Sequence, residues 1–115
     1  PSIDNRLLDR LESSLSRQIV KDRIYAQTRG PRFETKAEVR ILQKWGCDVV
    51  GMTFANECDL LLESGISVTS LCMIDNFAHG IGSYKLSYDL FRNLVDENQK
   101  IVDEVLEVAV ELFHA

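Results

Sequence analysis

The sequence predicts an α/β unit in which mostly parallel strands form the middle of three layers. Helical patterns alternate along the chain with short β-prone segments, and those segments are almost continuously apolar. Strands of that kind are typical of parallel sheets that helices cover on both faces. Only three such segments occur, so we expect the sheet to be part of a larger one, completed by an oligomer or by further sequence.

The first elements are short. Leucines at helical spacing predict a helix over residues 4–16, with apolar positions at Leu7, Leu8, Leu11 and Leu15. Residues 24–28 are β-prone and run into residues 29–32, where glycine and proline indicate a loop.

The second helix has the clearest boundaries. Thr35 and Glu38 form a predicted capping box, in which each side chain reaches the backbone N–H of the other residue. Apolar positions continue to Trp45, and Gly46 suits the left-handed conformation that ends a helix.

The remaining elements follow the same alternation. Residues 47–52 are predicted as a buried strand, and the helix after them is expected to end at Gly65. Residues 66–74 are predicted as a third strand, and residues 77–85 as a glycine-containing loop. A long helix over residues 87–113 closes the chain, with one apolar face at Leu94, Ile101, Val105, Val108 and Leu112.

The charge balance excludes several classes of partner. The chain has 13 Lys and Arg against 18 Asp and Glu, a formal net charge of −5. Non-specific nucleic-acid binding and a polybasic membrane anchor are therefore not expected. No apolar run approaches the roughly 18 residues of a membrane span. The first residues contain no apolar signal core. The sequence also begins without Met, which favours a processed chain or a fragment.

The cysteines and the loop histidine suggest no reactive site. Cys47, Cys58 and Cys72 are widely spaced and form no CxxC pair, so neither a zinc site nor a disulfide framework is indicated. Free thiols of this kind fit a reducing, cytoplasmic location. His79 has no second metal ligand near it in sequence, and we expect a structural role for it.

Polar and aromatic side chains follow the predicted strands. Ligands of open α/β sheets bind beyond the carboxyl ends of the strands, and parallel strands bring those ends to one edge. The edge would carry a ring, two carboxylates, an amide, a thioether and a hydroxyl. This set suits a flat heterocycle with polar edges joined to a sugar, since a ring stacks and amides and carboxylates pair with ring nitrogens. The residues are Phe33, Glu34, Met52, Thr53, Asp75 and Asn76.

Each of these residues also has a structural alternative. Glu34 precedes a helix, where negative charge is favourable for electrostatic reasons alone. Phe33 and Met52 would serve equally in the core, and Asp75 with Asn76 would suit an ordinary turn. The pattern therefore indicates a small-molecule site without fixing its chemistry.

Three motifs make the pattern more specific. Residues 28–38 read TRGPRFETKAE, residues 51–53 read GMT and residues 74–80 read IDNFAHG. They resemble, in order and spacing, the G-P-x-F-E-T-x-A-E, G-M-[ST] and T-N-[YK]-A-x-G elements of the purine nucleoside phosphorylase and methylthioadenosine phosphorylase family. The resemblance implies part of the nucleoside phosphorylase fold. Residues 1–115 would then be a single domain or the C-terminal portion of a larger phosphorylase domain.

The resemblance implies how the base is recognised. Phe33 would stack near the purine, and Glu34 would accept a hydrogen bond from the purine N1–H. Asn76 would be catalytic, since a donor to N7 stabilises the negative charge of the leaving purine. Asn76 together with Glu34 resembles the pattern of relatives that prefer 6-oxopurines. Asp75 replaces the family's usual Thr and leaves a 6-amino preference open, because its carboxylate can accept from an amino group.

The resemblance also implies how ribose and phosphate are held. Met52 would pack under the ribose and Thr53 would help to bind phosphate. Inorganic phosphate is then a co-substrate, and neither a resident cofactor nor a metal is implied. Tyr88 would contact the ribose 5′ group, either through its hydroxyl to a 5′-OH or through its ring to a 5′-methylthio group.

The implied reaction is pentosyl transfer, in which a purine nucleoside and phosphate give purine base and ribose 1-phosphate. A homo-oligomer, trimer or hexamer, or a complementing N-terminal chain is implied as partner. Two departures keep alternatives open. The family's Gly-rich phosphate loop has no counterpart here, and the residues after Met52 read TFANE (53–57) where the family has Thr-Val-Pro-Glu, so that Asn56 replaces the Pro and Phe54 is bulkier. A non-catalytic nucleoside-binding or structural module, and a nucleosidase that uses water, are the alternatives.

Overall fold

The computed structural model describes residues 3, 5–15, 17–83 and 87–114. The elements in order are α1 (Arg6–Ser14), β1 (Tyr25–Gln27), α2 (Lys36–Lys44), β2 (Val49–Gly51), α3 (Phe54–Glu63) and α4 (Tyr88–His114). The two strands pair in parallel, with Tyr25 opposite Val49 and Gln27 opposite Gly51. The predicted class, α/β with parallel strands, is confirmed.

The first helix is held by its leucines. It packs against α4, and the guanidinium of Arg10 donates to the carbonyl of Leu112 at 3.1 Å. The ends of the predicted helix, residues 4 and 16, lie outside the described residues. The apolar face is buried as the leucine spacing predicts, at Leu8, Leu11 and Leu15.

The capping box of α2 is present as predicted. The Thr35 hydroxyl accepts from the Glu38 N–H at 3.2 Å, and the Glu38 carboxylate accepts from the Thr35 N–H at 2.7 Å. Arg32 adds a two-pronged contact, with both guanidinium nitrogens 2.9 Å from the Glu38 oxygens. These bonds, Arg32 first and then Thr35, lower the pKa of Glu38 to about 2. Gly46 follows the helix at a φ of +81°, as predicted for its end.

Replacing Arg32 by Gln is expected to raise the pKa of Glu38 from about 2 toward its ordinary 4.5, because the strongest contact of the carboxylate is lost. A carboxyl group with a lowered pKa stabilises the fold above its ordinary pKa, and the contribution disappears as pH falls toward the folded value. Carboxyl ¹³C NMR titration measures the shift directly. Arg40→Gln, on an exposed position of the same helix, is the matched control. An unchanged Glu38 pKa in R32Q would contradict this account of the cap.

The predicted third strand is wrong. The sheet described by the structure has the order β1-β2, and residues 66–74 form no strand. Their side chains do not follow the expected pattern either, since Val68 is buried while Leu71 and Ile74 are exposed. Whether a β-prone segment becomes a strand depends on its cross-strand neighbours, which its own sequence does not specify. In the described part of the chain, Asp75 and Asn76 therefore do not follow a strand end.

The last helix begins at a polar cap, and its predicted apolar face is half-buried. The Ser87 hydroxyl accepts from the Leu90 N–H at 3.2 Å, which satisfies one first-turn donor. No helix in the described ranges is both long enough and apolar enough to cross a membrane. The half-buried side chains include Leu94, Ile101, Val105, Val108 and Leu112.

Large apolar side chains remain accessible on several elements. Trp45 is 74% exposed at the end of α2, Leu60 is 67% exposed on α3, and Phe113 is 60% exposed on α4. Surfaces of this kind favour association with other protein surfaces.

Candidate functional site

A buried carboxylate lies where the two strands end. Glu34 is 7% exposed, and the Thr28 hydroxyl donates to its carboxylate. Thr28 is the first residue after β1, and its backbone N–H donates to the Gly51 carbonyl of β2 at 2.8 Å. The Glu34 carboxylate is thus fixed to the carboxyl end of the sheet through one side chain.

The loop after β1 lies directly against the residue after β2. Gly30 has a φ of +61°, and a Cβ atom added to it would be 2.9 Å from the sulfur of Met52. Glycine suits the left-handed conformation, and a larger residue would have to displace the flexible Met52 thioether that lies against it. The structure therefore brings two predicted site residues, Glu34 and Met52, to the same edge of the sheet.

A side chain of β1 binds the first turn of α3. Thr53 is the N-cap residue but makes no side-chain cap hydrogen bond. The first-turn N–H of Ala55 instead donates to the side-chain oxygen of Gln27, on β1, at 2.5 Å. Phe54, bulkier than the resemblance led us to expect, packs edge-on against Tyr25 with ring centroids 5.5 Å apart. The Thr53 hydroxyl is exposed beside the ends of both strands, and capping makes no use of it.

An aromatic cluster joins the loop before α2 to the beginning of α4. The rings of Phe33 and Phe91 meet edge-on, with centroids 5.6 Å apart and planes inclined by 70°. Tyr88 lies 6.4 Å from Phe91 and is 65% exposed. The half-buried Phe33 thus stands next to the first turn of α4, which carries the predicted contact to the ribose 5′ group.

The last two predicted residues of the edge, Asp75 and Asn76, follow the segment that forms no strand. Asp75 is tied to α4, since its carboxylate accepts from the Asn98 amide at 3.1 Å. The Asn76 amide nitrogen donates to the Phe77 carbonyl at 2.9 Å, and an amide NH₂ has a second hydrogen to donate. The connection to the sheet edge comes from His79, whose Nδ1 is 3.3 Å from the Glu34 carbonyl.

A hollow of about 370 Å³ opens beside the carboxylate. Its walls are Thr28, Glu34, Glu38 and the loop residues 29–32. Glu34 is therefore buried against the protein and still borders space that a ligand can enter. In the described part of the chain, no group of three or more His, Cys, Asp and Glu residues could hold a metal ion.

Three residues that support the site were not singled out from the sequence. Thr28 holds Glu34, Gln27 holds the start of α3, and Asn98 holds Asp75. Asn98 could have been found from the sequence. It is four residues from Leu94 and three from Ile101, so it lies on the apolar face of α4, where an amide needs a hydrogen-bond partner. Thr28 and Gln27 had no signal beyond their position at the end of a strand.

Together these features place a buried carboxylate and an adjoining hollow at the carboxyl edge of a parallel α/β sheet. Comparison with known families agrees with the motifs that point to this edge. The sequence profile described as the Phosphorylase superfamily matches residues 1–111. The chain belongs to the phosphorylase superfamily.

The chain also resembles individual curated proteins. It is 37% identical over 93 residues to a "Probable 6-oxopurine nucleoside phosphorylase" of Archaeoglobus fulgidus, which covers 81% of this chain and 37% of that protein. It is 43% identical over 89 residues to a "Probable S-methyl-5'-thioinosine phosphorylase" of Methanopyrus kandleri, covering 77% of this chain and 32% of that protein. It is 36% identical over 95 residues to an "S-methyl-5'-thioadenosine phosphorylase" of Prochlorococcus marinus, with 80% and 30% covered. The chain spans about a third of the length of these curated relatives.

Proposed function

We propose that this chain carries the nucleoside side of a purine nucleoside phosphorylase site, in which a purine nucleoside and phosphate become purine base and ribose 1-phosphate. The observation that carries the proposal is the Glu34 carboxylate, buried at the sheet edge and bonded to Thr28, in a loop whose Gly30 lies against Met52. The names of the relatives, all nucleoside phosphorylases, support the same reaction.

The base is proposed to be a 6-oxopurine. Its N1–H donates to the Glu34 carboxylate, and Asn76 donates its second amide hydrogen to N7. The purine leaves with developing negative charge, so a donor at N7 becomes stronger as the glycosidic bond breaks and raises the rate. Asp75 accepts from the Asn98 amide through one oxygen and keeps a second that could accept from a 6-amino group, so the 6-oxopurine proposal depends on Glu34 and Asn76.

Phosphate and ribose are proposed to lie along the other strand end. The Thr53 hydroxyl at the start of α3 helps to bind phosphate, where a helix N-terminus favours an anion. Met52 packs under the ribose. Phosphate is held on the opposite face of the ribose, in position to act as the nucleophile. Phe33 stacks near the purine, and Tyr88 contacts the 5′ group.

A 5′-methylthio group is proposed as an accepted substituent. It would meet the exposed Tyr88 ring, and thioethers make favourable contacts with aromatic rings. Relatives named as methylthioinosine phosphorylases support this, because that nucleoside combines a 6-oxopurine with a 5′-methylthio group.

Tyr88→Phe is expected to separate the two 5′ substituents. Loss of the hydroxyl should lower kcat/KM for inosine about fivefold, roughly the value of one neutral hydrogen bond. The value for 5′-methylthioinosine should stay within about twofold, since the ring remains. Steady-state kinetics with both nucleosides measure the ratio. The control is Tyr25→Phe, which removes a hydroxyl on the first strand and should affect both nucleosides equally. Equal losses of kcat/KM on both substrates would show that the Tyr88 hydroxyl does not contact the 5′ group.

The assembly and setting are proposed from the same site and surface. The exposed apolar residues support a homo-oligomer, trimer or hexamer, or a complex with a complementing N-terminal chain. Phosphate serves as co-substrate, with no resident cofactor or metal. The free cysteines support a cytoplasmic location.

Product analysis tests the function. With inosine as substrate we expect hypoxanthine release that depends on phosphate, with ribose 1-phosphate as the second product. Free ribose, at a rate independent of phosphate, would identify a nucleosidase and overturn the proposal.

A second candidate function is nucleoside binding without turnover. One observation favours it: the Ala55 N–H at the start of α3 is occupied by Gln27, which removes a donor that phosphate would otherwise use. Calorimetric binding of inosine without release of base, in the presence of phosphate, would support this candidate over the phosphorylase.

A further inference from the structure

The contact that His79 makes with a backbone carbonyl determines which ring nitrogen carries the proton. The ring is half-buried, and its Nδ1 is 3.3 Å from the backbone carbonyl oxygen of Glu34. A carbonyl oxygen only accepts hydrogen bonds, so the bond exists only when Nδ1 carries the proton. Nε2 is then the unprotonated nitrogen whenever the ring is neutral.

A second contact places the same loop on the same segment. Gly80 has a φ of +88°, and a Cβ atom added to it would be 2.9 Å from the Lys36 side chain. Adjacent residues of the loop therefore lie against Glu34 and Lys36, which are two positions apart at the beginning of α2. The loop is seated on this segment at two points.

These contacts matter because of where the loop begins. Asn76 precedes His79 by three residues and does not follow a strand, since residues 66–74 form none in the described part of the chain. Glu34 is fixed to the sheet through Thr28. The two groups proposed to contact N7 and N1 thus belong to separate segments, and such groups must be held within about 0.5 Å of their productive geometry.

We propose that His79 is a positioning residue, whose Nδ1–H bond to the Glu34 carbonyl sets the spacing between Asn76 and Glu34 across the purine. The inference rests on the proposed function for its consequence, but its geometry can be tested without any activity. Misplacement of reacting groups by about 1 Å can lower a rate by about 10²-fold, so loss of this bond should be visible in kinetics.

Three substitutions of His79 separate the hydrogen bond from simple packing. The amide nitrogen of Asn lies as many bonds from the backbone as Nδ1, whereas that of Gln lies one bond further, near the position of Nε2. We expect His79→Asn to keep kcat/KM for inosine within about threefold, and His79→Gln and His79→Ala to lower it about tenfold or more. Equal losses in all three variants, or better function with Gln than with Asn, would overturn the proposal.

The tautomer supplies a readout independent of catalysis. In ¹⁵N NMR spectra at about pH 8, where an ordinary imidazole is mostly neutral, we expect the proton of His79 on Nδ1. Glu34→Ala keeps the backbone carbonyl and should keep this tautomer. A proton on Nε2 would overturn the proposal whether or not the protein turns over nucleosides. Absence of base release by the wild-type protein would instead contradict the proposed function, while the NMR result would still decide the role of His79.

Discussion

Replacing Asn76 by Ala is expected to lower kcat for inosine phosphorolysis about 10²-fold, with KM changed only a few-fold. Donors that meet charge developed in the transition state typically have effects of about 10² to 10³ on kcat. The N7 contact is of this kind, because N7 gains negative charge only as the bond to ribose breaks. A change in kcat with little change in KM is the signature of an interaction made in the transition state.

A substrate with a charged base sharpens this test. In 7-methylinosine the base already carries positive charge and leaves as a neutral molecule, so it needs no donor at N7. The Asn76→Ala loss should then fall to within a few-fold of wild type. Asn93→Ala, at an exposed position of α4, is the matched control. A loss on 7-methylinosine as large as that on inosine would mean that Asn76 acts by shaping its loop and not through N7.

Replacing Glu34 by Ala is expected to raise KM for inosine at least about tenfold, the value of a hydrogen bond between a neutral donor and a charged acceptor. The N1–H contact exists before and during bond breaking, so its loss should affect KM more than kcat. Glu34→Gln should lose less, since its amide oxygen can accept from N1–H and its amide nitrogen can donate to the Thr28 hydroxyl.

The opposite kinetic signatures of the two variants form the stronger prediction. Glu63→Ala, on an exposed position at the end of α3, controls for removal of a carboxylate. Thermal unfolding of each variant separates loss of contact from loss of fold, because Glu34 is buried and its Thr28 partner would be left without it. Full retention of KM in a folded Glu34→Ala variant would remove Glu34 from base recognition.

Local patterns were the predictable part of the fold. The capping box of Thr35 and Glu38 and the glycine at position 46 each depend on a few neighbouring residues, and the structure confirms both. The parallel pairing of β1 and β2 was also predictable, since a helix separates two apolar segments. The third strand was not, because strand formation depends on a paired neighbour that no local pattern specifies.

The site divides in the same way. The sequence predicted that Glu34 and Met52 share an edge, and the packing of Met52 against Gly30 brings them there. It did not predict that Thr28 would hold the carboxylate or that His79 would join the loop of Asn76 to Glu34, which are contacts between segments. The expectation of a structural role for His79 named no partner for it, because a lone histidine in sequence says nothing about the carbonyl that it contacts.

A crystal structure with hypoxanthine and phosphate is the most direct test of the central claim, which is that residues of separate segments bind one purine. We predict a Glu34 carboxylate oxygen and the Asn76 amide nitrogen within about 2.7–3.2 Å of N1 and N7 of the same base. Met52 should face the ribose pocket and Thr53 the phosphate. A base bound away from this edge, or one that contacts Glu34 while Asn76 still faces only the Phe77 carbonyl, would contradict the account.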